Sequence, residues 1–488
     1  MNITGTSDSD RLFGTNFRDF IRGLGGHDVI DGGAAGDTIE GGSGNDTIEG
    51  GEGYDLIRGG VGDDSLDGGS AGDTLLGGGG DDFLFGGTGT DSLNGGSGFD
   101  IAVYDVNTTA LDADLSQDRI SFPGQSWPSE TLRSIEGIIG GSGSDRLFGD
   151  GAANMFDGGE GNDFLVGRGG NDLLIGGRGL DTLNGGSGDD TLEGGGHNDQ
   201  LNGGAGRDTA VYTENTTPVH VNLATGVVGF PGQSWANEDL VSIENIVTGS
   251  GDDTVVGSNG ANVIEVGEGY NTVNGRGGND IIHGGWGFIL WDAEGHEDTL
   301  GLDDIIEVLN GGAGDDVIYS GGSMVHYWEF RWHFEAATDV LSGGRGDDRL
   351  VAGDGRVNDD SNSVAVSVIM TGGTGADTFE FATEIWEREG SGGNRGTFGQ
   401  TGTITDFNPS LGDKIAIRSE AHRDLDFVGE TPDPGRNEIG YSRVWDGAEI
   451  DTVIEVPLQE NSANGRNVLT ITLDGYSGPL TADDFLLI

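Results

Sequence analysis

A large apolar residue recurs at every ninth position through the first part of this chain, among glycine and polar residues: Leu12, Ile21, Ile30, Ile39, Ile48, Ile57, Leu66, Leu75, Leu84 and Leu93. A disordered chain has no reason to keep one position apolar at every ninth residue. The spacing predicts a very short strand between glycine turns. In Gly41-Gly42-Ser43-Gly44-Asn45-Asp46-Thr47-Ile48-Glu49, three glycines permit a six-residue turn with positive φ, and Thr47, Ile48 and Glu49 form a strand whose middle side chain points inward. Two turns and two strands, hence two such units, close one circuit. Successive circuits are expected to lie about 4.8 Å apart, the spacing of paired strands.

A column of aspartates shares this period. Asp10, Asp19, Asp28, Asp37, Asp46, Asp55, Asp64, Asp73, Asp82, Asp91 and Asp100 fall nine residues apart, each two positions before an apolar residue. A second array carries Asp145, Asp163, Asp172, Asp181, Asp190, Asp199 and Asp208, with Asn154 at the missing step, and a third runs Asp253, Asn262, Asn271, Asp280. Asp100 to Asp145 and Asp208 to Asp253 each span five steps of nine, so the phase survives both interruptions. The two spacers copy one another at an offset of twelve such steps: Ala102-Val103-Tyr104 matches Ala210-Val211-Tyr212, Phe122 to Trp127 recurs at Phe230 to Trp235, and Ser134-Ile135-Glu136 recurs at Ser242-Ile243-Glu244. They read as duplicated, enlarged rungs. Beyond Asp280 the beat continues at Trp291, Leu300, Leu309 and Ile318 around Asp298 and Asp316, and breaks after Tyr319; Asp348 and Asp377 lie in residual glycine turns.

The period changes what composition means. Of 488 residues, 33% are hydrophobic, and 23 basic against 84 acidic side chains leave a net charge of -61, a profile that by itself indicates disorder. A solenoid grows along one axis, so this length predicts one elongated body rather than about three domains. Stacked carboxylates, Asp28 over Asp46 over Asp64 on one edge and Asp37 over Asp55 over Asp73 on the other, repel by roughly 3 kcal/mol per neighbouring pair at an effective dielectric near 20. A divalent cation between successive turns reverses that sign, and two carboxylates plus turn carbonyls suit calcium, which takes six to eight oxygens in flexible geometry. Folding and binding then form one event, and without calcium the chain is expected to be disordered. The asparagines keep an oxygen but lose its charge, which predicts weaker sites at Asn154, Asn262 and Asn271. No cysteine is present, so disulfide and thiolate-metal frameworks are excluded.

The unit GGxGxDxUx, with U large and apolar, resembles the RTX calcium-binding nonapeptide repeat. The resemblance implies an all-β fold, a right-handed parallel β-roll or β-helix solenoid with 18-residue rungs, two enlarged spacer rungs and a C-terminal β module. It implies several calcium ions, each held by sixth-position aspartates one full circuit apart and by turn carbonyls. The aspartates named above, with Asp316, Asp348 and Asp377, are the metal-ligand candidates. Gly372-Gly373-Thr374-Gly375-Ala376-Asp377-Thr378-Phe379-Glu380-Phe381, then Ile404-Thr405-Asp406-Phe407 and Asp413-Lys414-Ile415, look like the terminal modules of RTX proteins exported by type I secretion; Ala482 to Ile488 resembles their acidic-then-apolar ending and also suits a terminal strand cap. The expected location is extracellular, outside a Gram-negative bacterium, with calcium as the switch between a threadable and a folded chain. The start, Met1 to Thr6, is no classical signal peptide, and no apolar run reaches a membrane span.

The organisation expected is a first array over 1–103, an enlarged spacer over 104–139, a second array over 140–211, the spacer copy over 212–247 and a degenerate third array over 248–319; an aromatic- and histidine-rich insertion with a residual repeat follows over 320–370, and the C-terminal module over 371–488. His283, His296, His326 and His333 cluster in sequence, and His326 to Glu335 alternates as a strand with Trp328, Phe330, Trp332 and Phe334 on one face. It suits a hairpin covering the end of the roll, an aromatic strip for sugar rings, or a zinc site. Catalytic motifs are poor. Gly68-Gly69-Ser70-Ala71-Gly72 matches GxSxG only as a repeat turn, and His296-Glu297 does not continue to HExxH. The repeats leave little room for a catalytic module, so a non-enzymatic surface, adhesion or matrix protein is expected, with the type I machinery and anionic polysaccharide or cell-surface matrix as partners. Strong negative charge argues against nucleic acid. The alternatives are a polysaccharide lyase or epimerase working from the enlarged rungs or the histidine-rich segment, and a glycan binder using Trp127, Trp235, Trp328 and Trp332.

Overall fold

The computed structural model describes residues 1–488 except 125–128, 233–236, 290–307, 321, 326–337, 353–364, 383–398, 412, 419–425, 431–437, 446–449, 458–467, 475, 477–479, 481–483 and 488. Trp127, Trp235, Trp291, His296, Asp298, Leu300 and the alternating segment His326 to Glu335 lie outside the described residues. The chain forms two units, residues 1–211 with 234–243 and residues 212–233 with 244–488.

In the first unit, strands follow one another every nine residues and alternate between two sheets. Thr38–Ser43 pairs in parallel with Leu56–Val61 (Ile39 opposite Ile57), and Thr47–Glu52 with Ser65–Ser70 (Ile48 opposite Leu66), so each strand bonds to the one two units further on. The apolar position of every unit faces the space between the sheets: Ile39, Ile48, Ile57 and Leu66 are at most 1% exposed. That narrow row is the core. The strands are longer than the sequence suggests, six residues rather than three, because the rungs go on pairing through the first half of the glycine turn, as at Gly42 opposite Gly60 and Ser43 opposite Val61. Positive φ at Gly42 (124°) and Gly44 (111°) bends the backbone there without breaking the pairing.

The first spacer differs between the sheets. In one, Ile101–Val103 pairs directly with Gly137–Ile139, which pairs with Met155–Asp157. In the other, the order from Ser92–Ser97 is Glu130–Arg133, then Arg119–Ser121 and Asp112–Asp114, and finally Arg146–Phe148. Arg119–Ser121 runs antiparallel to both its neighbours. The enlarged rung is therefore a local meander, turned by the short 3-10 segment Leu115–Gln117 and by Asp118 at φ 52°. Leu111, Ala113, Leu115, Ile120 and Leu132 give it a core continuous with that of the array.

The second unit repeats the meander: His220–Asn222 runs antiparallel to Val227–Gly229 and parallel to Thr254–Val256. Its strand stack does not stop where the nine-residue frame does. Val273 pairs with Leu309, Leu309 with Leu341, Leu341 with Met370 and Met370 with Ile404, so the offset between partners varies from one rung to the next. Pairing needs matched strands and tolerates chain inserted between them, which is why a fixed period in sequence under-reads this region. Glu438–Trp445, Ile450–Pro457 and Val468–Leu473 then form an antiparallel meander. Phe485–Leu487 adds a parallel strand beside Lys414–Arg418, so this part of the chain end is a strand.

Candidate metal centre

Each glycine turn folds its aspartate back beneath the start of its own unit. A Cβ on Gly50 would lie 2.7 Å from Asp55 Oδ2 and 2.7 Å from the carbonyl oxygen of Gly68, one circuit on. The same cradle recurs at Gly68, with Asp73 Oδ2 at 2.7 Å and the Gly86 carbonyl at 2.8 Å, and at Gly176, with Asp181 Oδ2 and the Gly194 carbonyl both at 2.7 Å. Carboxylate and carbonyl oxygens from successive rungs thus converge where only glycine leaves room.

The other carboxylate oxygen is already used. Asp46 N–H donates to Asp64 Oδ1, Asp55 N–H to Asp73 Oδ1 and Asp64 N–H to Asp82 Oδ1, each at 2.8 Å. The backbone of one rung so orients the carboxylate of the next, and Oδ2 remains over. In Asp28, Asp37, Asp46, Asp55, Asp64, Asp73 and Asp82, in Asp163, Asp172, Asp181, Asp190 and Asp199, and in Asp280, Asp316 and Asp348, Oδ2 is buried without a hydrogen-bond partner. Burial pushes Asp64 up to about 7; the Asp46 N–H pulls it back, and the charges of Asp46 and Asp82 push it further up. Asp73, Asp163, Asp172, Asp199 and Asp348 are likewise raised to about 7, with burial the main cause.

Repeated buried anionic oxygens without partners call for a cation. The donors are carboxylate and carbonyl oxygens only, the set a hard cation takes. Among the described residues no three His, Cys, Asp or Glu side chains converge, so main-chain carbonyls must supply much of the coordination sphere. That suits flexible calcium coordination and not a tetrahedral nitrogen and sulfur site. At the first rung a cation is in place: the Met1 amino group sits 2.5 Å from Asp19 Oδ1, and by donating to that carboxylate it holds it below its usual range.

Every aspartate expected in the ladder joins one of these columns. One edge runs Asp10, Asp28, Asp46, Asp64, Asp82, Asp100, and the other Asp19, Asp37, Asp55, Asp73, Asp91, each N–H donating to the next Oδ1. The second array runs Asp145, Asp163, Asp181, Asp199 and Asn154, Asp172, Asp190, Asp208. In the second unit Asp253 meets Asn271, while Asn262, Asp280, Asp316, Asp348 and Asp377 continue in line. All are buried except the half-buried Asp10. Asn154 and Asn262 are closed off by hydrogen bonds: their amides donate to the carbonyls of Glu136 and Glu244, and their Oδ1 atoms accept the N–H of Asp150 and Ser258.

Three ladder members escaped the sequence reading. Asp413 Oδ1 accepts the Asp377 N–H at 3.1 Å, beyond the regular frame. Glu136 Oε2 accepts the Asp100 N–H at 2.9 Å, and Glu130 is buried beside Asp91 with Tyr104 Oη donating to it at 3.0 Å. A signal existed for Glu136, which falls four steps of nine after Asp100. An outer ladder was also unread. Asn45 Oδ1 accepts the Asp63 N–H and Asp63 Oδ1 the Asp81 N–H, in the sense opposite to the buried columns. It explains why the position before the ladder aspartate so often holds Asn or Asp.

The model of the RTX calcium-binding nonapeptide repeat matches residues 4–39, 40–75, 67–102, 139–174, 175–210, 243–273, 256–288, 303–323 and 336–356, more than half of the chain. The chain belongs to this RTX family. No curated protein matches this RTX chain. Among solved structures, it is similar to the extracellular lipase LipA from Serratia marcescens, at 16% identity over 71% of this chain and 40% of the lipase, with a TM-score of 0.16. The RTX chain thus spans less than half of the lipase's length, and the overlap is too loose to bring any activity across. Calcium is the ion its repeats bind, in accord with the oxygen-only cradles.

Proposed function

We propose that this RTX protein is exported unfolded and folds outside the cell as calcium fills the two aspartate columns, acting there as a surface, adhesion or matrix protein without catalysis. The observation that carries the reading is the run of buried Oδ2 atoms without partners, which recurs at successive rungs and faces turn carbonyls. Calcium supplies the positive charge that lets successive carboxylates stack. The chain supplies the rest: Oδ1 locks each side chain to the rung before it, glycine admits the ion to the backbone, and the inward Ile or Leu excludes water.

Export by a type I route is supported by the resemblance of the terminal module, and by a ladder that repels itself where calcium is scarce. A polyanionic surface partner, bridged by calcium, fits a chain of net charge -61. Arg119, Arg133 and Arg146 stand exposed on strands of the first spacer's meander and offer a second contact for acidic polysaccharide, with Phe148 and Phe164 beside Arg146. Ser70 of the GxSxG string lies at the end of strand Ser65–Ser70, with its hydroxyl 3.4 Å from the Gly51 carbonyl, which is a turn setting and not a strand-turn-helix one. Circular dichroism of the full chain should change from coil-like in chelator to β-rich on adding millimolar calcium. A β-rich spectrum in chelator at pH 8 would overturn the reading.

A further inference from the structure

We infer that an additional calcium site, outside the nonapeptide repeats, joins the end of the first array to the first spacer, with Asp100, the carbonyl of Ser134 and Glu136 as its ligands. It rests on the reading that the ladder carboxylates hold calcium. The repeat matches end at residue 102 and resume at 139, so Ser134 and Glu136 belong to no recognised unit.

The argument is a comparison of two gaps. In the ordinary gap above Asp64, Asp64 Oδ2 and the Gly77 carbonyl converge on Gly59, while Asp82 Oδ1 accepts the Asp64 N–H. In the gap above Asp100, Asp100 Oδ2 and the Ser134 carbonyl converge on Gly95, while Glu136 Oε2 accepts the Asp100 N–H. The oxygens are the same in kind and in placement. Asp100 is 0% exposed and its Oδ2 has no hydrogen-bond partner, so a buried anionic oxygen is aimed into this gap as into the others. The spacer copy repeats the pattern, with Asp208 Oδ2 and the Ser242 carbonyl converging on Gly203.

The change from Asp to Glu has a geometric cause. Gly77 stands five positions before the carboxylate at Asp82, but Ser134 only two before Glu136. The chain makes that tighter turn through Ser134 at φ 46°, and one extra methylene lets the side chain reach the N–H that aspartate reaches from a longer turn. An ion held here ties Gly137–Ile139 onto Ile101–Val103 and so couples the order of the spacer to calcium at the end of the array.

The test counts ions by native mass spectrometry of the calcium-saturated full chain, with hydrogen exchange at residues 137–139 as a second readout. Glu136→Gln keeps an acceptor for the Asp100 N–H but loses the charge; it should fold, bind one calcium fewer and exchange at 137–139 at least tenfold faster. Glu136→Asp keeps the charge but loses the reach, and should also bind one fewer. Its count decides the matter if the glutamine variant does not fold. Variants that bind as many ions as the parent would overturn this site and leave the repeat sites standing, whereas a parent chain that binds no calcium would overturn both.

Discussion

At the scale of a single residue, what distinguishes a ladder aspartate is the fate of its second oxygen. Asp64 and Asn154 occupy equivalent turns, yet Asp64 Oδ2 is buried without a partner whereas Asn154 satisfies both ends of its amide locally. The asparagine gap is thus closed by hydrogen bonds as well as lacking charge. Asn154→Asp should open it: the calcium-loaded variant is expected to bind one more ion than the parent, because the carboxylate loses the amide's bond to the Glu136 carbonyl and gains the charge. Ion counting by native mass spectrometry checks it, and an unchanged count would show that the gap stays closed. The turns also tolerate local strain, since Ala35, Ala71, His197 and Arg276 hold φ between 71° and 88° at positions where most units use glycine. Such backbone costs each of them about 1 to 2 kcal/mol, and the rungs above and below hold it in place.

At the scale of the element, the informative feature is the spacer meander. Arg168, in the following array, reaches back with one nitrogen 2.8 Å from Asp114 Oδ1 and another 3.1 Å from Asp114 Oδ2, and also bonds to the Ser116 hydroxyl. Hydrogen bonds from this guanidinium hold the Asp114 carboxyl down at about 2. A bidentate, partly buried pair of this kind is among the stronger polar contacts. Arg168→Ala should therefore destabilise the calcium-loaded protein by about 2 kcal/mol and raise exchange in Asp112–Asp114 ahead of the arrays, as read by hydrogen-exchange mass spectrometry. Equal loss of protection in the repeat strands would mean that the pin holds more than the spacer.

At the scale of the whole molecule, charge and protons decide when the columns can form. Burial in the fold raises Asp64, Asp73, Asp163, Asp172, Asp199 and Asp348 from 3.8 to about 7. A folded state that binds protons more tightly than the unfolded chain loses stability as pH rises. Ion-free stability should therefore be greatest below about pH 4 and fall as pH rises through about 7. Calcium competes with those protons, so its affinity should weaken as pH drops from 8 to 5, with protons released on binding. Calcium titrations followed by circular dichroism at several pH values check the sign. A calcium midpoint independent of pH would show that the ladder carboxylates are not the ligands.

Much of this protein is written in its sequence, because a repeat that can bury only one side chain per unit leaves little freedom in how it stacks. The inward row from Ile21 to Leu93, the two-unit offset between paired strands, the aspartate columns and the duplicated spacers could all be read from spacing alone, since strand pairing carries a fixed register from rung to rung. The tertiary structure decided what spacing could not reach. It reversed the chain inside each spacer and carried the stack from Leu309 through Leu341 and Met370 to Ile404 by unequal steps after the period had gone. It also put Glu136 and Asp413 into columns that elsewhere are completed from regular turns. The reason is physical: a ladder recognises an oxygen at the right height above the rung below it, and that height depends on the path of the backbone as well as on the count of residues.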